Sequence, residues 1–201
     1  MRTLHARAAL CALFAFAGTP RPGAAQWTLA ADIGSARFWG GSAEIGGERS
    51  FRPYRPTLVG LGLAYTHDNV GVGVRFHYAG SSLALEGKEA VVASKGVLDV
   101  YGVAPELSLP LTRLGPEARM RLYAGPLIEL WKLASEISHL RVGAAVAVGL
   151  EVPFGLRLAG TLRAGLAVTP GSPFAREDLD PSYEPRALWR RTLSTSLAYR
   201  L

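Results

Sequence analysis

Apolar and polar residues alternate along most of this chain with a period of two. The clearest segment is Val70–Tyr78, where valine or aromatic residues alternate with glycine, arginine or histidine. Arg141–Val152 and Leu156–Val168 repeat the pattern. A period of two places alternate side chains on opposite faces of a β-strand, whereas a helix of 3.6 residues per turn would mix the two sets. These segments are therefore predicted to be strands.

Weaker segments follow the same pattern and raise the number of predicted strands to eight. The predicted strands are Gln26–Trp39, Thr57–Thr66, Val70–Tyr78, Val97–Leu109, Arg119–Trp131, Arg141–Val152, Leu156–Val168 and Ala187–Leu201. The predicted fold class is all-β, an eight-stranded antiparallel up-and-down barrel.

The connections between these strands alternate in length. His67–Asn69 and Pro153–Gly155 are short enough for tight hairpin turns, and Thr112–Ala118 is intermediate. Longer polar stretches are Gly40–Pro56, Gly80–Lys88, Lys132–Ser138 and Pro170–Arg186. Short turns at one end and long loops at the other are typical of transmembrane β-barrels.

Three residues conflict with regular strands. Pro105 and Pro126 lie inside predicted strands, where proline cannot donate to the ladder. We expect a bulge or a missing hydrogen bond at each. Asp99 falls on an apolar face, so either it lies at the outer interface or its strand begins later.

The N-terminus has the order of a secretory signal peptide. Arg2 and Arg7 precede the uncharged apolar stretch Ala8–Phe16, and Gly23–Ala25 supplies small residues for cleavage near Ala25. A buried N-terminal helix is the alternative. The predicted division is a signal peptide at 1–25 and a barrel domain at 26–201.

Removal of the signal peptide changes the charge and the thiol content. It takes away three arginines and no acidic residue, which lowers the formal charge from +6 to +3. The remaining chain has no Lys/Arg run long enough for a basic patch, so nucleic acid is not an expected partner. Cys11, the only cysteine, leaves with the signal, which excludes disulfides and thiol chemistry from the mature protein.

The polar face of the strands favours a membrane barrel over a soluble one. It carries glycine, alanine and isolated charges, whereas a soluble surface is polar at nearly every outward position. The charged or titratable residues predicted to face the lumen are Arg75, His77, Glu106, Arg121, Glu129, Arg141, Glu151, Arg157 and Arg163. Aromatic residues also fall near both predicted boundaries, Tyr78 and Trp189 at one and Tyr65 and Tyr199 at the other. A periplasmic lipocalin-like barrel or a β-sandwich remains the soluble alternative.

The signal peptide, the eight alternating strands and the C-terminal strand Leu193–Leu201 resemble the small outer-membrane β-barrel proteins of the OmpA-domain, OmpX and OmpW-like type. Such proteins usually end in an aromatic residue, whereas this chain ends in Leu201 with Tyr199 two positions earlier. The resemblance implies a monomer in the outer membrane of a Gram-negative bacterium. It also implies contact with outer-membrane lipid and with the barrel-assembly machinery during biogenesis.

The sequence offers little for catalysis, cofactors or metal. The four histidines form no HxH or HExxH motif, so no metal ligand or cofactor is predicted. Barrels similar to the lipid A 3-O-deacylases carry a histidine and a serine two positions apart, which His77–Ala79 and His139–Arg141 lack. A GxSxG motif is absent as well. We therefore expect no catalytic residues and no enzymatic activity, and a lipid A-modifying enzyme is the least favoured hypothesis.

Two hypotheses remain for the lumen charges. In the first, paired Arg and Glu side chains plug the barrel, since an unpaired buried charge costs several kcal/mol. The protein would then have a structural role or bind partners through Gly40–Pro56 and Pro170–Arg186. In the second, the lumen is a narrow channel for small solutes, with five arginines against three glutamates favouring anions. Eight strands leave little space, which favours the plug.

Overall fold

The computed structural model describes residues 26–46, 50–86, 91–115, 118–133, 138–171 and 181–201. The predicted signal peptide, 1–25, lies outside the described residues, as does 172–180 of the predicted loop Pro170–Arg186. In the part of the chain that is described, no helix is long and apolar enough to span a membrane.

Eight antiparallel strands close into a barrel in which each strand pairs with its sequence neighbours and β8 pairs with β1. The strands are β1 (Gln26–Glu44), β2 (Ser50–His67), β3 (Val70–Glu86), β4 (Val91–Leu114), β5 (Ala118–Leu133), β6 (Ser138–Pro153), β7 (Leu158–Thr169) and β8 (Tyr183–Arg200). The predicted all-β, eight-stranded up-and-down barrel is confirmed. Closure leaves no edge strand among the described residues, so each strand has a pairing partner on both sides.

The alternation separates two environments across the barrel wall. Val146 and Leu158 point outward and are 43% and 39% exposed, whereas Glu129 points inward and is 2% exposed. Large apolar side chains such as Leu61, Phe76 and Leu162 cover the outer face. An outward apolar band around a polar interior is the arrangement of a transmembrane barrel, the inverse of a soluble one.

The strands extend further than the pattern predicted at the end opposite the short turns. Much of Gly40–Pro56 and Gly80–Lys88, predicted as loops, continues β1, β2 and β3. Gly40 and Gly41 have positive φ and accompany a register shift against β8. Glycine and proline therefore mark bulges here rather than strand ends. We call this end the loop end and the other the short-turn end.

A two-residue turn joins β2 to β3 at the short-turn end. Asp68 and Asn69 have φ of 49° and 73°, as a type I′ turn requires at both central positions. The predicted turn at His67–Asn69 is therefore confirmed. The connection predicted at Pro153–Gly155 extends to residue 157, because β7 begins at Leu158.

Aromatic side chains form a belt at each end of the apolar band. At the short-turn end, Trp27 and Tyr65 lie 5.2 Å apart between ring centroids. At the loop end, Trp39 stacks on Trp189 at 6.1 Å and Tyr78 lies 5.2 Å from Tyr101. The amphipathic rings of Trp and Tyr suit the interface between lipid and water.

Asp99 lies in the loop-end belt. Strand β4 begins before it, at Val91, so the alternative of a later start is wrong. Its Oδ1 accepts a hydrogen bond of 2.8 Å from the hydroxyl of Tyr78. An acidic residue on the outer face is thus held by an aromatic residue of the belt.

The two prolines predicted to disturb the ladder face each other across β4 and β5. Pairing runs to Val103 with Ile128 and resumes at Leu107 with Ala124 in the same register, which places Pro105 opposite Pro126. The ladder is thus interrupted without the bulge that was the other possibility. The carbonyl of Pro105 approaches Gly125 so closely that a Cβ there would collide with its oxygen.

Gly125→Ala should therefore destabilise the barrel by about 1–3 kcal/mol, because the collision is with backbone that cannot turn aside. Gly62→Ala is the matched control, since its Cβ would meet the nearest atoms at an ordinary 3.7 Å. The stability of both variants is measured by titration with urea. The fraction unfolded is read from the difference in gel mobility between the folded and the unfolded barrel. Equal stability of the two variants would contradict the close approach at Gly125.

Candidate functional site: the closed lumen

The first charged layer of the lumen joins four strands. Arg75 of β3 contacts Asp32 of β1, and its Nε lies 3.4 Å from Oε2 of Glu106 of β4. Arg163 of β7 donates to both carboxylate oxygens of Glu106, at 2.9 and 2.5 Å. This forked geometry is the one that a guanidinium forms best with a carboxylate. Two arginines and two carboxylates thus close one level of the barrel.

A second charged layer lies nearer the loop end. Glu129 of β5 accepts a hydrogen bond from Arg190 of β8 and lies 3.2 Å from Nε2 of His77 of β3. Arg190 also lies 3.4 Å from the same imidazole nitrogen. Since Glu129 and Arg190 are both buried, each neutralises a charge that would otherwise be costly to enclose.

An apolar layer covers the charged ones on the loop-end side. Phe38 packs edge-on against Trp131 with ring centroids 5.8 Å apart, and Arg190 lies 5.9 Å from the Phe38 ring centroid. The buried members of the cluster are Ala36, Phe38, Ala79, Leu98, Val100, Trp131 and Leu188. All of them point inward, so this level of the lumen is filled by hydrocarbon.

Two further polar contacts occupy the short-turn end. Arg121 donates to the Asn69 carbonyl at 2.8 Å and to Ser108 Oγ at 2.9 Å. Glu151 accepts a hydrogen bond of 2.8 Å from Arg200. Both contacts join residues that are distant in sequence, and together they line the short-turn mouth.

The remaining predicted lumen residues lie at different levels. Arg141 of β6 stands directly opposite Glu129 in the β5–β6 register. Arg157 was predicted inside a strand, but it lies in the turn before β7. Its Nη1 donates to the Tyr199 hydroxyl at 3.1 Å, which places it beside the short-turn belt.

A cavity of about 80 Å³ remains between the two charged layers. Asp32, Arg75, His77, Glu106 and Arg190 are among the residues that line it. Among the described residues, Asp32 Oδ1 and Arg190 Nε are buried without a hydrogen-bond partner. The volume suits a few water molecules, each occupying about 30 Å³ in the liquid.

Gly102 makes room for the histidine of the second layer. A Cβ at this position of β4 would overlap the imidazole ring of His77. His77 can lie against Glu129 because its cross-strand neighbour, Gly102, has no side chain. Glycine on the polar face thus provides volume for a charged or aromatic neighbour.

Sequence reasoning missed three partners of the lumen charges: Asp32, Arg190 and Arg200. Each is next in sequence to a residue that was predicted to face outward: Ile33, Trp189 or Tyr199. Because faces alternate along a strand, each should therefore face inward. The signal was therefore present in the alternation of β1 and β8. The apolar layer was missed as well, because Phe38 and Trp131 lie on faces expected to be polar.

The described residues contain no group of three His, Cys, Asp or Glu side chains able to hold a metal ion. Most charged groups of the two layers instead contact one another as arginine–carboxylate pairs, and Arg121 donates to a backbone carbonyl. The chemistry that this arrangement can perform is charge neutralisation and closure.

Comparison with solved structures places the fold among small outer-membrane β-barrels. Neisserial surface protein A superposes with a TM-score of 0.61 at 7% identity, covering 89% of this chain and 99% of that one. OprG from Pseudomonas aeruginosa gives 0.51 at 12%, covering 89% and 97%. AlkL, solved in lipid bilayers, gives 0.50 at 14%, covering 92% and 94%. The chain matches no family model and no curated protein sequence.

Replacing Glu129 by Gln should destabilise the barrel by roughly 3 kcal/mol, because Arg190 would lose its buried counter-charge. Glu184→Gln removes the same charge from an exposed position of β8 and should change stability by less than about 0.5 kcal/mol. Equilibrium unfolding in urea from detergent micelles or vesicles measures both. If Glu129→Gln lost no more stability than Glu184→Gln, the pairing of Glu129 with Arg190 would contribute nothing to stability.

Proposed function

We propose that this chain is an integral protein of the bacterial outer membrane with a closed lumen, and that it acts structurally or through contacts at its loop end. The observation that carries the proposal is the succession of layers across the interior. Two charged layers and one apolar layer lie one above another, and the cavity between the charged layers holds only about 80 Å³.

The balance of charge supports a plug over an anion-selective pore. The sequence suggested an excess of arginine over glutamate in the lumen. In the ion pairs of the two layers, however, Arg75, Arg163 and Arg190 are matched by three carboxylates, those of Asp32, Glu106 and Glu129. A pore that selects anions needs a net positive lining, whereas a balanced set serves closure.

A narrow channel for small solutes is the second candidate. The observation that favours it is the cavity between the layers, whose lining includes charged side chains and the buried, unsatisfied atoms of Asp32 and Arg190. Conduction would require the side chains of both layers and the apolar layer to move aside. The plug needs no such rearrangement.

In this proposal the short-turn end faces the periplasm and the loop end faces outward. Outer-membrane lipid surrounds the apolar band, and the barrel-assembly machinery acts during biogenesis. The protein is a monomer without enzymatic activity and without nucleic-acid partners. Its contacts with other molecules are made by the extended hairpins of the loop end.

Planar-bilayer recordings test the closure. We expect the wild-type protein to give no reproducible single-channel steps, because the lumen is blocked at three levels. Insertion is verified in the same samples by the gel-mobility difference between unheated and boiled protein. Reproducible steps that disappear in Arg75→Ala and Arg163→Ala would contradict the plug and establish the channel.

An arginine on the outer face tests the membrane location. Val146→Arg, near the middle of β6, should destabilise the barrel in vesicles by about 2–4 kcal/mol, because the charge would lie in hydrocarbon. Leu156→Arg, in the short turn before β7, should cost only about 0–1 kcal/mol. Urea unfolding from vesicles gives both values. A soluble barrel would tolerate the two changes equally and would not partition into vesicles.

A further inference from the structure

The wall between β1 and β2 is open near the loop end. Their pairing is continuous to Ser35 with Thr57 and returns only at Ser42 with Phe51, with the register shifted between them. Over the same stretch β1 stays paired with β8, through Arg37, Phe38 and Trp39. The seam therefore lies on one side of β1 only.

Two prolines account for the seam. Pro53 and Pro56 lie in the stretch of β2 that is not paired with β1, and neither has an N–H to donate to β1. A side chain takes the place of one such donor, since Arg52 Nη1 donates to the Phe38 carbonyl at 3.0 Å. Arg52 thereby bridges the seam and is held beside it.

A cleft of about 460 Å³ lies at this seam, and three arginines line it: Arg37 of β1, Arg52 of β2 and Arg191 of β8. Trp39 and Tyr54 are also in its lining. Among the described residues that line it there is no carboxylate. The cleft therefore combines positive charge with aromatic surface.

Arg37 and Arg191 stand directly opposite each other in the β1–β8 register. Both are exposed on the outer face, and like charges at such a position destabilise a strand pair. Arg191 lies 5.3 Å from the ring centroid of Trp39, which offsets part of this repulsion. An anion bound between the two guanidiniums would be attracted to both and would offset their mutual repulsion.

The position of the cleft indicates which anion fits. It lies level with the loop-end belt of Trp39 and Trp189. Below it on the same outer face, Ile33 and Leu193 are each 55% exposed in the apolar band. A ligand reaching both regions has a negatively charged head at the belt and hydrocarbon chains against the band.

We propose that this cleft binds the phosphate of a phosphorylated glycolipid in the outer leaflet of the membrane. Arg37 and Arg191 contact the phosphate, Arg52 supports it from across the seam, and the acyl chains lie over Ile33 and Leu193. Guanidinium groups suit phosphate because their paired N–H donors match its oxygens. The inference rests on the outer-membrane location proposed above.

Native mass spectrometry of the full barrel in detergent, titrated with lipid A, tests the proposal. We expect the wild-type protein to bind lipid A at least about tenfold more tightly than the same lipid after removal of its phosphates, given two charge-assisted contacts. Arg37→Gln with Arg191→Gln should lose that preference. Equal binding of the two lipids by the wild type, a result that needs no variant, would overturn the proposal.

The matched control is a second opposed arginine pair, Arg113 and Arg119, at the short-turn end. Arg113→Gln with Arg119→Gln removes the same charge and should leave lipid A binding unchanged. Equal losses in both double variants would indicate a nonspecific charge effect and overturn the site. Equal binding of phosphatidylglycerol would overturn the choice of a glycolipid.

A separate measurement distinguishes failure of this site from failure of the membrane assignment. Each variant is first checked for the heat-dependent gel-mobility shift and for stable insertion into vesicles. Inserted protein without phosphate preference would refute the cleft alone. Protein that never inserts would refute the proposed location, and with it the lipid site.

Discussion

The structure depends on the pairing of charges enclosed in a lumen only eight strands wide. Such a barrel has space for side chains and little else, so an ionised group in it needs a counter-charge or hydrogen-bond partners within the interior. Glu106 pairs with two arginines, Arg75 and Arg163, and Glu129 pairs with Arg190. These contacts join β3, β4, β5, β7 and β8. Two of these ion pairs, Glu106 with Arg163 and Glu129 with Arg190, thus link strands that are not neighbours in the wall.

The glycines of the polar face follow from the same constraint. Long arginine, tyrosine and histidine side chains fill the lumen only where the facing positions are empty. Gly102 leaves room for the His77 ring, and Gly149 lies against Tyr123, over whose ring Arg163 sits at 4.3 Å. The mixture of glycine with isolated charges is therefore a packing solution. A soluble surface has no reason to adopt it.

The alternation in the sequence was sufficient to predict the fold and the two faces of each strand, because it is a local property. It could not predict which charges meet. Arg190 and Glu129 are 61 positions apart, and their contact depends on the register and tilt of strands between them. The predicted loop boundaries were wrong for another reason. Glycine and proline at residues 40–56 form bulges inside long hairpins, and the paired backbone continues on either side.

Prolines interrupt the hydrogen-bond ladder of the barrel wall at two places, with different results. Where Pro105 faces Pro126, the register continues and Gly125 allows the strands to approach. Where Pro53 and Pro56 lie on one strand only, the register shifts, the strands separate and Arg52 supplies a donor from its side chain. Prolines that face each other on both strands thus leave the wall closed, whereas prolines on one strand only are accompanied by a cleft. The polar groups exposed there are arginines, and they lie level with the loop-end belt of Trp39 and Trp189.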